Sequence, residues 1–276
     1  MMLDRSHITR ALPPGSMRYF AWLYTPAKYR DVIAALFVIE AELHDSARAP
    51  HEVAHHRLQW WREEIDQLIA GKARHPATQV LQTHATQFID FQPLHTTLLS
   101  TAQELANATY ETDAELVHYF QGGLGILLAT TMHYLTPNPS SATLDAATQL
   151  GGFIRHAEVI RDLRQDLHQG RLLLPLAQLD ALNIDYEVLQ SSAWPEPFVE
   201  LLKTRCAQCL NQLNTLKNSL LSNEKKALRP LLVLAELHAA LLHQVSTDPV
   251  TYTQQRLELK PLSKLWTAWR TARMAR

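Results

Sequence analysis

Asp162 and Asp166 stand four residues apart in Val159-Ile-Arg-Asp-Leu-Arg-Gln-Asp-Leu-His-Gln-Gly-Arg-Leu-Leu-Leu-Pro175. On a helix both carboxylates leave the same face, one turn apart. Hard oxygen ligands at that spacing can share or bridge Mg²⁺ ions, and such ions can hold a diphosphate. A solvated helix face has the same look, because Arg161 and Arg164 flank the acids and a lone pair of aspartates at this spacing is common.

A second charged cluster, Glu40, Glu42, His44 and Asp45, precedes Arg48. Glu40 and His44 share a face at i, i+4, with Arg48 one turn further on. The pattern reads as a mixed-charge surface more than as a clean metal site. Trp60 and Trp61 are either core residues or the wall of an apolar cavity. Gly122, Gly123 and Gly125 cost about 1 kcal/mol each inside a helix, so close packing or an opened backbone must offset them. Cys206 and Cys209, at i, i+3, form a redox pair or two small core residues, and no second cysteine pair completes a structural zinc site.

Helices must position nearly all of these groups. Helical periodicity is expected from Pro26 to about Leu43, from about Glu52 to Ala70, from Pro76 onward, and from Pro93 to about Ala108. Thr112-Asp-Ala-Glu115 has the form of a capping box, and the helix after it runs through Gly122–Gly125. After the loop Pro137–Ser141, helix resumes from about Leu144 to Gln169, closed by Gly170 and Pro175. Phe198–Ser219, Glu224–Gln244 and Pro261–Met274 read as closing helices. Strand-like alternation is scarce and no polar linker divides the chain, so one all-α domain over residues 1–276 is expected.

The composition agrees. Hydrophobic residues make up 46% and charged residues 19% of 276, which is ordinary for a globular protein. Eight glycines are few for a Gly-rich nucleotide-binding fold. A net charge of −1 provides no global field for nucleic acid. The N-terminus carries Asp4, Arg5, His7 and Arg10 without an apolar stretch, and the longest apolar run is Val32–Ile39. A cytoplasmic protein, peripheral to a membrane at most, is expected.

Read together, the motifs resemble those of the squalene/phytoene synthase family over almost the whole chain. Ser16-Met-Arg-Tyr-Phe20 with Pro26-Ala-Lys-Tyr-Arg30 resembles the family's opening. Arg57-Leu-Gln-Trp-Trp-Arg-Glu-Glu64, Gly71 and His75-Pro76 are similar to its Trp-Trp helix and following His-Pro. Tyr110-Glu-Thr-Asp-Ala-Glu-Leu116 matches its Tyr-x-Thr-x-x-Glu-Leu, and Gly122–Gly125 falls at its glycine helix break. Ile160–Asp166 with Gly170-Arg171 and Leu174-Pro175 is similar to its second aspartate motif and tail.

The resemblance implies an isoprenoid synthase fold: helices around a central apolar cavity, with two aspartate motifs facing each other at its mouth. Leu36, Phe37, Phe120, Leu124 and Phe153 are the expected wall. It implies head-to-head condensation of prenyl diphosphates, farnesyl or geranylgeranyl, with Mg²⁺ on the leaving group. Carried onto this chain, the catalytic residues are Asp162, Asp166 and Asp45, and the metal ligands are Asp162, Asp166 and Glu158. The substrate-binding residues are Arg48, Arg161, Arg171, Tyr19 and Gly122.

The chain departs from the family in its first motif. His44, Asp45 and Arg48 stand where the family has three aspartates, which predicts Mg²⁺ held weakly or not at all. In the second motif Glu158 replaces an asparagine and Leu173 a tyrosine, leaving an acidic stripe of Glu158, Asp162 and Asp166. Four readings remain open: a protein that binds prenyl diphosphate or a related isoprenoid lipid; an active prenyltransferase with altered metal use; a lyase or hydrolase acting on one prenyl diphosphate; and a non-catalytic assembly factor of the respiratory complex I type, with a protein partner. The tail, with Lys260, Lys264, Arg270, Arg273, Arg276 and two tryptophans, is a candidate peripheral membrane contact or a packed closing helix.

Overall fold

The apolar run Val32–Ile39 is buried all round, which makes its helix an axis of the bundle instead of a surface element. The computed structural model describes residues 4–85, 89–106, 109–191, 193–249, 252 and 257–275. Residues 107–108, the expected end of one helix, and Arg276 lie outside them.

The described residues contain no strand. In chain order the helices are α1 (Arg5–Ala11), α2 (Met17–Leu23), α3 (Arg30–Ala47), α4 (His51–Ile69), α5 (Pro76–His84), α6 (Leu94–Leu105) and α7 (Asp113–Phe120). A π turn, Gln121–Gly125, leads into α8 (Ile126–Leu135) and then α9 (Ser141–His168). The short α10 (Leu176–Ala181) and α11 (Tyr186–Leu189) precede α12 (Glu196–Ser219), α13 (Ser222–Ala227), α14 (Arg229–Thr247) and α15 (Pro261–Met274). The all-α architecture is the one expected.

α3 packs against α1, α4, α5, α6 and α8. The long α9 starts at Ser140, whose hydroxyl accepts the Thr143 N–H at 3.1 Å, and it packs against α7, the π turn, α8, α12 and α14. Close approach explains two of the glycines. A Cβ on Gly151 would lie 2.5 Å from the Gly125 Cα, and one on Gly125 would lie 2.7 Å from the Thr148 carbonyl oxygen. The π turn therefore sits against α9 with no side chain between, which settles the open question in favour of close packing.

Local signals held where their chemistry is local. Both halves of the Thr112/Glu115 capping box form. The expected helix Glu224–Gln244 is instead two. Pro230 has no N–H to extend α13 and serves in the first turn of α14. Trp61 is core, whereas Trp60 is exposed. Cys206 and Cys209 are both buried, and burial pushes their thiols up to about 11 and about 12. The thiolate is the reactive form, so they are core residues.

Candidate functional site

Helical spacing brings the candidate residues to one place. On α3, Glu40 and His44 lie one turn apart, and Arg48 follows at the C-cap. On α9, Arg155, Glu158 and Asp162 follow one face at i, i+3, i+7. Together with Arg10 of α1, Arg18 of α2 and His238 of α14, they line a pocket of about 330 Å³. Asp162 thus lines one pocket with His44, Asp45 and Arg48, whereas Asp166, expected beside it, is not among the lining residues.

Beneath the pocket is an ionic network. Arg18 holds both oxygens of Glu40 and donates to Glu158 at 3.0 Å. Arg155 donates to Glu104 of α6 at 2.7 Å and stands 3.6 Å from Glu158. His44 Nδ1 lies 3.0 Å from Glu104, and its Nε2 lies 3.7 Å from Glu40. The Tyr119 hydroxyl also donates to Glu104. Glu40, read from the sequence as part of a charged surface, is buried instead.

These contacts set the charge states. Burial alone would raise the Glu158 carboxyl, but Arg18, Arg161 and their neighbours hold it well below the usual carboxylate range. Glu104 is held down in the same way, by His44 and Arg155 against its own burial. Burial disfavours the charge on Arg18, yet Glu40 and Glu158 keep it firmly protonated. His238 is pushed down to about 4 by burial, against the pull of Glu158. Its Nδ1 pairs with the Leu234 carbonyl at 2.9 Å, while its buried Nε2 has no hydrogen-bond partner.

The remaining expected residues are spread more widely. Arg161 lines the pocket and clamps Asp162 through two hydrogen bonds, at 3.0 and 2.5 Å. Asp45 pairs with Arg10 at the rim. Asp166 is buried and does not line the pocket, and Arg171 holds it at 2.7 and 3.1 Å. The backbone of that tail is pinned by the Leu176 N–H on the Tyr110 carbonyl, at 2.9 Å. Tyr19 packs beside Trp22 on α2 in a tilted ring pair, with centroids 5.7 Å apart. Gly122 packs on α6, where a Cβ would meet the Ser100 Oγ at 2.8 Å.

The five expected wall residues are all buried but do not line one cavity: Leu36 and Phe37 are packed in the core, and the other three divide between two spaces. Phe120 and Phe153 line a cavity of about 260 Å³ toward α12. Leu124 lines a space of about 20 Å³ that Glu40, His44, Glu104 and Arg155 share. The charged network fills the ground between α3, α6 and α9. Arg18, Glu104, Arg155 and His238 were not singled out from the sequence. The only signal available was a charged residue set into an otherwise apolar face.

This donor set does not fit a magnesium cluster. Mg²⁺ demands near-octahedral oxygen ligation, yet each wall carboxylate, Glu40, Asp45, Glu158 or Asp162, is already held by an arginine. Among the described residues, no group of three or more His, Cys, Asp or Glu is placed to hold a metal ion. Arg48, on the same wall, is a fixed cation. Five arginines face four carboxylates around the pocket, a balance that suits an anion.

The family model for squalene/phytoene synthase matches residues 14–263. A 15-cis-phytoene synthase from Synechocystis sp. is 22% identical over 79% of this chain and 69% of its own length. A chloroplastic phytoene synthase from an Oncidium hybrid cultivar is 21% identical over 88% of this chain, which spans 61% of that relative. Among solved structures, a dehydrosqualene synthase in complex with ligand superposes with a TM-score of 0.81 at 15% identity, covering 97% of this chain and 95% of its own. A squalene synthase from Alicyclobacillus acidocaldarius gives 0.69 at 16%, covering 89% and 94%.

Proposed function

The chain belongs to the squalene/phytoene synthase family, and from that premise we propose that it binds a prenyl diphosphate or a related isoprenoid lipid without condensing two of them. The diphosphate is held at the polar pocket between α2, α3 and α9. Arg48 and Arg161 meet the anion there, in place of bridging metal ions.

One observation carries this reading: every carboxylate on the pocket wall is already matched by an arginine, and arginines are in excess. Arginine recognises phosphate oxygens with a planar fork of donors and keeps its charge at any working pH. Arg18 and Arg155, tied into the network, hold the pocket walls in place. Head-to-head condensation needs a departing diphosphate whose growing charge is stabilised. A carboxylate serves that need only through a bound cation, and the two that α3 brings to the pocket, Glu40 and Asp45, are each already paired with an arginine.

An active transferase with altered metal use is favoured by one fact, that Asp162 and the 44–48 segment line the same pocket. One experiment separates the two. Farnesyl and geranylgeranyl diphosphates are titrated into the protein in EDTA and again with Mg²⁺ or Mn²⁺, with pyrophosphate and hydrocarbon products followed together. The binding reading expects similar affinity with and without metal and no product. Metal-dependent pyrophosphate release with a hydrocarbon product would establish the transferase. An absence of binding in EDTA would remove the arginine-held diphosphate.

A further inference from the structure

The closing helix α15 is built inside out. Its buried residues are the small ones, Ala268, Thr271 and Ala272, set against α14 and α2. Its large apolar residues point to solvent: Leu262 is 80% exposed, Trp266 60% and Trp269 42%, with Leu265 also exposed. Positions 262, 265, 266, 269 and 273 follow i, i+3, i+4, i+7, i+11, a single stripe along the helix. The indoles of Trp266 and Trp269 stack with centroids 5.1 Å apart, and the Arg273 guanidinium lies 5.4 Å from the Trp269 ring. A contiguous apolar face of this kind, edged by charge, marks an interaction surface.

The charge identifies the occupant. Residues 260–275 carry Lys260, Lys264, Arg270 and Arg273 and no acid, in a chain of net charge −1. Arg270, on one edge of the stripe, opens on a cavity of about 410 Å³ that it shares with Lys217 and Lys225. Lys217 there is paired with Glu236. No described helix is long and apolar enough to cross a membrane, so this face can lie on a bilayer but not span it. A second copy of the chain is the poorer partner, because two-fold pairing of this face would set its arginines against each other.

We propose that α15 is an interfacial docking helix that seats the protein on an anionic lipid bilayer. Trp266, Trp269 and Leu262 enter the headgroup boundary, where amphipathic indoles are at home. Arg270 and Arg273 meet lipid phosphates beside them. The proposal stands independently of what the pocket between α3 and α9 binds.

The test uses the full chain without prenyl ligand. Flotation is measured with phosphatidylcholine vesicles and with vesicles that also contain phosphatidylserine. The wild type should bind the anionic vesicles and scarcely bind the neutral ones. Trp266→Ser with Trp269→Ser should abolish binding. Arg270→Gln with Arg273→Gln should weaken it by roughly thirtyfold, two surface charges' worth. All four side chains are exposed, so both variants should keep the wild-type circular dichroism. Failure of the wild type to bind, equal binding to both vesicle types, or unchanged binding by the tryptophan variant would overturn the proposal. So would a concentration-dependent dimer that the tryptophan variant loses while vesicle binding is absent, which assigns the face to a second copy.

Discussion

On α9 the acids recur at every turn, Glu158, Asp162 and Asp166, and each is met by an arginine. On α3 the polar residues that line the same pocket are Glu40, His44, Asp45 and Arg48, so a cation is written into the helix itself. One helix carries three acids, each in a salt bridge; the other mixes two acids with a histidine and an arginine. Both arrangements point the same way. Under the binding reading, guanidinium groups balance the charge that divalent ions would otherwise balance. Such buried networks are weak evidence for stability, because desolvation offsets much of the attraction. Their effect is greatest when one partner is removed.

That asymmetry gives the largest expected effect. Among the described residues, Arg155 is the one arginine that reaches both Glu104 and Glu158. Arg155→Met would leave two buried carboxylates short of a partner. We expect a loss of about 3–5 kcal/mol in unfolding free energy, the usual cost of breaking a buried pair from one side, read by urea denaturation at neutral pH. A loss below about 1 kcal/mol, the level of a surface ion pair, would show that the α3–α9 network is solvated and that the contrast between the helices is superficial.

The α3 side of the comparison can be reversed. His44→Asp with Arg48→Asp restores acids to that helix, but at position 44 the new carboxylate would stand between Glu40 and Glu104. In EDTA the double variant should be less stable by about 2 kcal/mol, as expected for buried polar partners left unmet. Mg²⁺ should then recover that stability, because a ligand bound only by the folded state raises its melting temperature. Calorimetry showing equal Mg²⁺ binding before and after the change would refute the account of α3 as a helix that has given up metal ligation.

What could be read from the sequence follows the range of the interactions. The capping box at Thr112 and Glu115 and the stripe Glu158, Asp162, Asp166 depend on neighbours within one or two turns, so spacing reveals them. The family motifs placed α3 and α9 on opposite sides of one pocket, and they do line it together. The network was harder to see. Arg18 and Glu158 are 140 residues apart, and Arg155 and Glu104 are 51 apart. No local rule pairs charges at such distances. Glu40 is the instructive case: beside Glu42, His44 and Asp45 it looked like part of a wet surface, yet it ends the apolar run of α3 and is buried on Arg18. The outward face of α15 was readable as a stripe, but burial of the small residues in its place could be decided only by how the helix packs.

The finest distinction lies within α9. Asp162 and Asp166 look equivalent in the sequence, one turn apart on one face, yet Asp162 lines the pocket and Asp166 faces Arg171. Under the binding reading Asp162 is a hindrance to the diphosphate: it repels the anion and occupies Arg161. Asp162→Asn should therefore tighten farnesyl diphosphate binding in EDTA by about fivefold, the equivalent of about 1 kcal/mol for one partly exposed ion pair. Asp166→Asn should leave that affinity where it was and lower stability instead, because it loosens the Arg171 tail. The opposite pattern is equally definite. If Asp162→Asn weakens binding, and does so only when Mg²⁺ is present, then Asp162 is a metal ligand. The arginine clamp seen on it would be the metal-free arrangement of a working site, and the two helices would differ in degree, not in kind.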